Sequence, residues 1–159
     1  MTHKKFTLLQ NFFTINIIIL AIYLISSKVD ARIIKPTNNI IISDIKYQTI
    51  AKFAISIAIS DKEKETGLMN VEKLPQNQGM LFIFQDDNQR INMWMHNTLI
   101  NLDMIFIDKN NKIIGLHRNA KSLDKTLIQA PINTKKVLEI NAGMIDKYKI
   151  KEGYSISNL

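Results

Sequence analysis

The sequence predicts a mainly β fold, a small barrel or sandwich of about seven short strands with two short helical segments. Three observations carry that prediction. Apolar residues alternate along several short stretches, most clearly from Tyr47 to Ile59, where the odd positions are Tyr, Thr, Ala, Phe, Ile, Ile and Ile. Clusters of Asn, Asp, Gly and Pro interrupt the chain at short intervals. Helical signals are confined to two places, and no strand–helix–strand rhythm repeats, which argues against a doubly wound sheet.

Residues 1–31 read as an address. Lys4 and Lys5 precede an uncharged stretch, Phe6 to Ile25, whose apolar density peaks from Ile15 onward. The stretch is followed by Val29-Asp30-Ala31, with small or branched residues at the last and third-last positions, the pattern of a signal peptide cleaved after Ala31. An uncleaved N-terminal membrane anchor is the alternative, because about 20 residues can span a bilayer. Either way the chain is expected to be exported, periplasmic or anchored in the inner membrane. Where the segment is retained, membrane contact runs through residues 6–25.

Residues 32–45 read as a linker and lead-in strand, and 46–159 as a single β-rich domain. The even positions of the 47–59 stretch are largely small or polar (Gln48, Lys52, Ser56, Ala58), so this is a strand with one buried face. Ser60 followed three residues later by Glu63 is a capping box, which predicts a short helix ending near Gly67, with Leu68 and Met69 turning inward. Leu74 to Gly79 reads as a loop, Met80 to Phe84 as a strand and Asp86-Asp87-Asn88 as a turn. Ile91 to His96 and Asp103 to Asp108 read as strands, with a polar hairpin at Lys109–Lys112 and a return strand from Ile113 to His117. Asn119 to Pro131 reads as a long polar loop and Lys136 to Ile140 as a strand. Asn141-Ala142-Gly143 opens a helical piece to Tyr148, and Tyr154 to Ser157 closes the chain as a strand.

Composition narrows the function. The 159 residues carry no cysteine, which excludes disulfides, thiolate metal sites and a cysteine nucleophile. Net charge is +7, but Lys4, Lys5, Lys28 and Asp30 belong to the address segment, which leaves 18 basic and 13 acidic residues and a net +5 in residues 32–159. The basic residues are scattered and mostly lysine, so no nucleic-acid partner is expected.

The densest chemistry lies in Met93-Trp94-Met95-His96-Asn97-Thr98, followed by Leu102-Asp103. Read as a strand, Met93 and Met95 point one way and Trp94 and His96 the other. The large Trp94 is expected to fill the barrel core, with His96 near solvent. Asp103 is the best candidate acid or base for an enzyme acting on envelope polymers, with His96 and Thr98 as partners. No Gly-x-Ser-x-Gly elbow accompanies them. Met93, Met95 and His96, with Met69 and Met80, are weak candidates for copper(I), which suits soft ligands. His3 lies in the address segment. No zinc pattern exists, and no resident metal or cofactor is expected.

Four blocks, "KETGLMN" (64–70), "LPQNQGMLFIF" (74–84), "MWMHNTLINLDMIFID" (93–108) and "VLEINAGMIDKYKIKEG" (137–153), occur in that order. Together they resemble the family called domain of unknown function 192, from about residue 53 to the C-terminus. The resemblance implies a small, mainly β fold and an export signal in many members. It implies no reaction, cofactor or partner. Three positions depart from it: His96 stands where the family usually has Lys, Asn101 where it has Pro, and Tyr154 where Asp commonly follows glycine. The first counts against His96 as a shared catalyst, and the second is expected to loosen the turn before Asp103, because proline fixes φ there. The surviving polar group is Trp94, Asn97, Thr98 and Asp103, with Glu139 nearby. It reads either as a surface for a small polar ligand or an envelope protein, or as a hydrogen-bonded brace between strand ends.

Overall fold

The computed structural model describes residue 32, residues 34–85 and residues 90–158. The address segment, residues 1–31, and the turn expected at Asp86-Asp87-Asn88 lie outside the described residues. Among the described residues the elements run β1 (Asn38–Ser43), β2 (Thr49–Ala58), α1 (Asp61–Thr66), β3 (Gln78–Ile83), β4 (Asn92–Met93), β5 (Leu102–Ile107), β6 (Ile113–Ala120), β7 (Ile128–Gln129), β8 (Lys136–Asn141), α2 (Met144–Lys147) and β9 (Ser155–Ser157).

Seven strands form one sheet in the order β6-β5-β8-β3-β2-β1-β9, and β4 pairs with β7 beside it. The sheet curls until its two outer strands touch. Lys112 bridges to Ser155, and the Ile113 and Ile156 amides donate to the Tyr154 and Asn111 carbonyls, both at 2.9 Å. The fold is therefore mainly β and barrel-like, as the alternation predicts.

The central strands β3, β5 and β8 are buried on both faces. Ile40, Ile42, Phe53, Ile55, Leu81, Ile105, Leu138 and Ile140 pack inside the curl. There α2 closes one end with Met144 and Ile145, and Tyr148 meets Phe53 edge-on at 5.7 Å. On the outer face, Met80, Phe82, Leu102, Met104, Phe106 and Val137 pack under a second layer made of Leu68, Val71, Leu74, Ile91, Met93 and Met95. Each such side chain contributes roughly 1.5–3 kcal/mol on burial, so neither layer is decorative.

One strand pair, β2 with β3, is parallel. A parallel pair cannot be joined by a hairpin and needs a crossover. The crossover is the segment 59–77, which carries α1 over the outer face. The capping box forms as predicted: the Ser60 hydroxyl accepts from the Glu63 amide, and the Glu63 carboxylate accepts from the Ser60 amide at 2.8 Å. Gly67, at φ +42°, then turns the chain so that Leu68 is buried.

The chain from 91 to 131 differs from expectation. The strand expected from Ile91 to His96 is only Asn92–Met93, because its partner β7 is two residues long. Beyond it Met95 N–H donates to the Asp124 carbonyl, and Asn97 takes φ +52°, which turns the chain away. Trp94 is consequently not in the core. It is 43 % exposed, while Met93 and Met95 take the buried side. The polar loop expected from Asn119 begins later, since β6 continues to Ala120, and it contains β7.

Candidate functional site

On the outer face, between the α1 crossover and the 92–98 segment, lies a recess of about 250 Å³. Its first wall is α1 with the following turn: Asp61, Lys64, Glu65 and Gly67 to Met69. Its second is Asn92, Met93, Trp94, His96 and Thr98, and Phe82, Phe84 and Glu139 come from the sheet side. The walls are tied together by the Asn70 N–H, which donates to the Asn97 carbonyl at 2.9 Å, and the first is held from behind by the Arg32 guanidinium, which donates to the Gly67 carbonyl at 2.7 Å. Gly67 fits closely over the Phe82 ring, where an added Cβ would stand 3.1 Å from Cζ.

Glu139 is the unusual member of this lining. It lies mid-strand in β8, paired in register with Met80 of β3 on one side and Met104 of β5 on the other. The residue is 4 % exposed, and its carboxyl has neither a hydrogen-bond nor an ion-pair partner among the described residues. Burial among methionine and aromatic side chains penalises the charged form and pushes its pKa up to about 8. The group is therefore largely a neutral acid at neutral pH, able to donate one proton or accept a cation.

Trp94 and His96 flank the mouth with their rings 5.5 Å apart and tilted by 45°. The Lys64 ammonium lies 5.2 Å from the Phe84 ring centroid and 3.0 Å from Asp61. Thr98 is buried, and its hydroxyl donates over a long 3.4 Å to the His96 carbonyl.

The residues singled out in the sequence are divided by this geometry. Trp94, Thr98 and Glu139 line the recess together, joined by Met69, Met93 and His96. Asn97 does not line it; its left-handed backbone makes the turn, and its carbonyl holds the opposite wall. Met95 lines a separate hollow with His117 and Asn119. Asp103 is 1 % exposed and lies away from Trp94, on the other face of the sheet. Its Oδ1 accepts from the Asn119 amide at 2.9 Å and its Oδ2 from the Ile145 amide at 2.8 Å, the geometry of a brace that holds β6 and α2 against β5. Asn101, in the turn before Asp103, is tied to the end of β6 and the residues after it. Its side-chain amide donates to Asn119 Oδ1 at 3.2 Å and accepts from the Ser122 amide at 2.8 Å.

Asp61, Lys64, Glu65, Phe82 and Phe84 had no signal as site residues, since nothing in their spacing says that α1 folds back over β3. Glu139 did have one: a carboxylate in the apolar strand "KVLEIN" is rarely buried without a reason.

The model of the DUF192 family, described as "Uncharacterized ACR", matches residues 42–158. A solved structure from Sinorhizobium meliloti 1021, provisionally described as a transcription regulator, superposes with a TM-score of 0.73 at 26 % identity, over 79 % of this chain and 97 % of that one. A protein of unknown function from Novosphingobium aromaticivorans DSM 12444 superposes with a TM-score of 0.70, also at 26 % identity, over 78 % of this chain and 93 % of that one. No protein of curated function matches the chain.

Proposed function

The chain belongs to the DUF192 family, and on the geometry of its outer-face recess we propose that it is a binding module for a small molecule, held without turnover. The carrying observation is Glu139. An unpartnered carboxyl at the side of a concave space lined about equally by polar and apolar groups is a convergent polar group of the kind that fixes a ligand's orientation. The space is just below the ~300 Å³ at which pockets for drug-sized molecules begin, so the ligand is small. Residues 1–31 support export of this module to the envelope, as a periplasmic or membrane-anchored protein.

An acid–base role for Asp103 has no comparable support, since both of its oxygens are occupied by backbone amides. The regulator description of the Sinorhizobium relative is not carried over, because the helices among the described residues, six and four residues long, are short for reading a major groove. A second reading, copper(I) carriage, rests on one observation: Met69, Met93 and His96 line the same recess.

The binding reading is tested by a thermal-shift screen of small polar and amphiphilic compounds on the full chain and its Glu139→Gln variant. A compound that stabilises the native chain and not the variant supports it; a screen in which every stabiliser acts equally on both overturns it. Copper(I) is tested by titration. Quenching of Trp94 emission at stoichiometric metal supports carriage, and unchanged emission removes it. Export is read from the N-terminus and cell fraction of the mature protein.

A further inference from the structure

We propose that the ligand of this recess is a small organic ammonium ion, a primary amine on a short apolar body, with its charged head held between the Glu139 carboxylate and the aromatic rings of Phe82, Phe84 and Trp94. The proposal rests on the reading of the recess as a binding site and names the class of molecule that site selects.

Three independent features point to a cation. The first is Glu139, a residue 4 % exposed that lines the recess and whose carboxyl, open to that space, has no partner of its own. A buried carboxylate without a partner is costly, and a ligand ammonium is the group that compensates it most fully. Register shows why no protein group does so, since the strands on either side present Met80 and Met104. Methionine sulfur is only a weak acceptor and donates nothing.

The second feature is the balance of charge around the opening. The chain as a whole is basic, at +7. The recess reverses that sign even without Glu139: its other titratable lining is Asp61 and Glu65 against Lys64, with His96 beside Trp94. Lys64 is already engaged with Asp61 at 3.0 Å. An anionic ligand would be opposed by this excess of carboxylate over ammonium, and a cation is favoured by it.

The third is the aromatic lining. Phe82, Phe84 and Trp94 line the recess, and aromatic rings attract cations through their quadrupoles. One of them already receives an alkylammonium: Lys64 Nζ lies 5.2 Å from the Phe84 centroid. A ligand amine repeats, deeper in the recess, a contact the protein makes at its rim.

The proton balance follows from the acid that binds. Before binding, Glu139 is mostly protonated at neutral pH, because burial raises its pKa to about 8. Pairing with an ammonium ion favours the carboxylate, so the O–H bond breaks, the proton leaves to solvent and the ligand keeps its own. Affinity for the ammonium therefore rises by up to about tenfold per pH unit until about pH 8 and then levels.

The test is calorimetric titration of the full chain, held in a mild non-ionic detergent, with benzylamine, benzyl alcohol and benzoate. These share a ring and differ in the charge of the head. Titrations at pH 6, 7 and 8 are repeated in two buffers of different ionisation enthalpy, which counts protons. The expected result is benzylamine binding at least tenfold tighter than benzyl alcohol at pH 8, benzoate weakest, and release approaching one proton at pH 7. Glu139→Gln is expected to remove both the preference and the proton release, while its unchanged melting cooperativity shows that it is folded. Equal or tighter binding of benzyl alcohol or benzoate, lost in Glu139→Gln, overturns the ammonium assignment and leaves the binding site standing. Absence of binding by all three probes overturns both.

Discussion

Asp103 and Glu139 lie on neighbouring, hydrogen-bonded strands yet face opposite sides of the sheet. Glu139 pairs in register with Met104, the residue after Asp103, and Asp103 pairs with Ile140, the residue after Glu139. Side chains alternate along a strand, so one residue of offset decides the face. Asp103 turns to the inner face, where it meets the amides of Asn119 and Ile145. Glu139 turns to the outer face and the recess. One carboxylate is thus satisfied by the fold, and the other is left for something the fold does not contain.

The first of the pair predicts a stability effect without a binding effect. In Asp103→Asn the side chain keeps one acceptor oxygen and places an NH₂ group against a backbone donor. Hydrogen bonds to charged groups are worth roughly 1.5–3 kcal/mol each, so the expected loss is about 2–4 kcal/mol and a fall in Tm on the order of 10 °C. Ligand affinity, measured well below the new Tm, should stay within about twofold because the recess is on the other face. An unchanged melt means that Asp103 is not the brace described.

The second predicts a pH dependence of the opposite sense to that of ordinary carboxylates. The reference pKa of Glu139 is 4.5 and its folded pKa is about 8. Between these values the folded chain binds more protons than the unfolded one, so stability falls as pH rises from about 4.5 to 8 and is flat beyond. At 1.36 kcal/mol per pKa unit the full effect is on the order of 4–5 kcal/mol. Glu139→Gln removes this titration. Denaturant unfolding at pH 5 and pH 8.5 should show the variant close to the native chain at pH 5 and clearly more stable at pH 8.5. A variant that is less stable at pH 8.5 shows that Glu139 is paired in solution.

Gly79 supplies a third expectation. It lies in β3 opposite Ile140, and an added Cβ would stand 2.5 Å from the Glu139 carbonyl oxygen and 2.9 Å from Ile140 Cγ2. Both obstacles belong to β8, whose backbone must move to relieve them. Gly79→Ala should cost about 2–3 kcal/mol, toward the upper end of overpacking effects. Because the moved segment carries Glu139, binding of the amine probe should weaken with stability. A fully stable Gly79→Ala protein would show that β3 and β8 are less closely apposed than described.

Local signals in the sequence were reliable where one interaction decides the outcome. Ser60 and Glu63 are three residues apart and cap a helix by themselves, so α1 was legible. Alternation fixed β2 because Phe53 and Ile55 share one buried face. Trp94 was misplaced for a reason that is not local. Its size argues for the core, but the two methionines beside it fill the outer layer, and only the brevity of β7 and the turn at Asn97 show which side the strand presents. The recess was half legible. Trp94, Thr98 and Glu139 could be named, but Asp61, Lys64 and Phe84 reach it through a parallel crossover that no short-range pattern specifies. The grouping of Asp103 with Trp94 failed on register, which a single sequence does not reveal.

The exposed position of Trp94 yields the last prediction, in which folding and binding separate. A tryptophan in the core is worth several kcal/mol on truncation, on the order of 3–5. At 43 % exposure, with its ring tilted 45° to that of His96 at 5.5 Å, Trp94 lacks that packing. Trp94→Ala should therefore lower stability by less than about 1 kcal/mol. Trp94 lines the recess, however, and a cation there gains about 0.5–2 kcal/mol, so the variant should bind benzylamine roughly two- to thirtyfold more weakly. Benzyl alcohol affinity should change less, since it brings no charge to the ring. Trp94 is the one tryptophan in the sequence, so its emission reports the same event in the native chain. It should be red-shifted in the free protein and move toward the blue as the amine covers the indole. A blue emission before addition, or a large stability loss in Trp94→Ala with unchanged affinity, would return the residue to the core and remove it from the site.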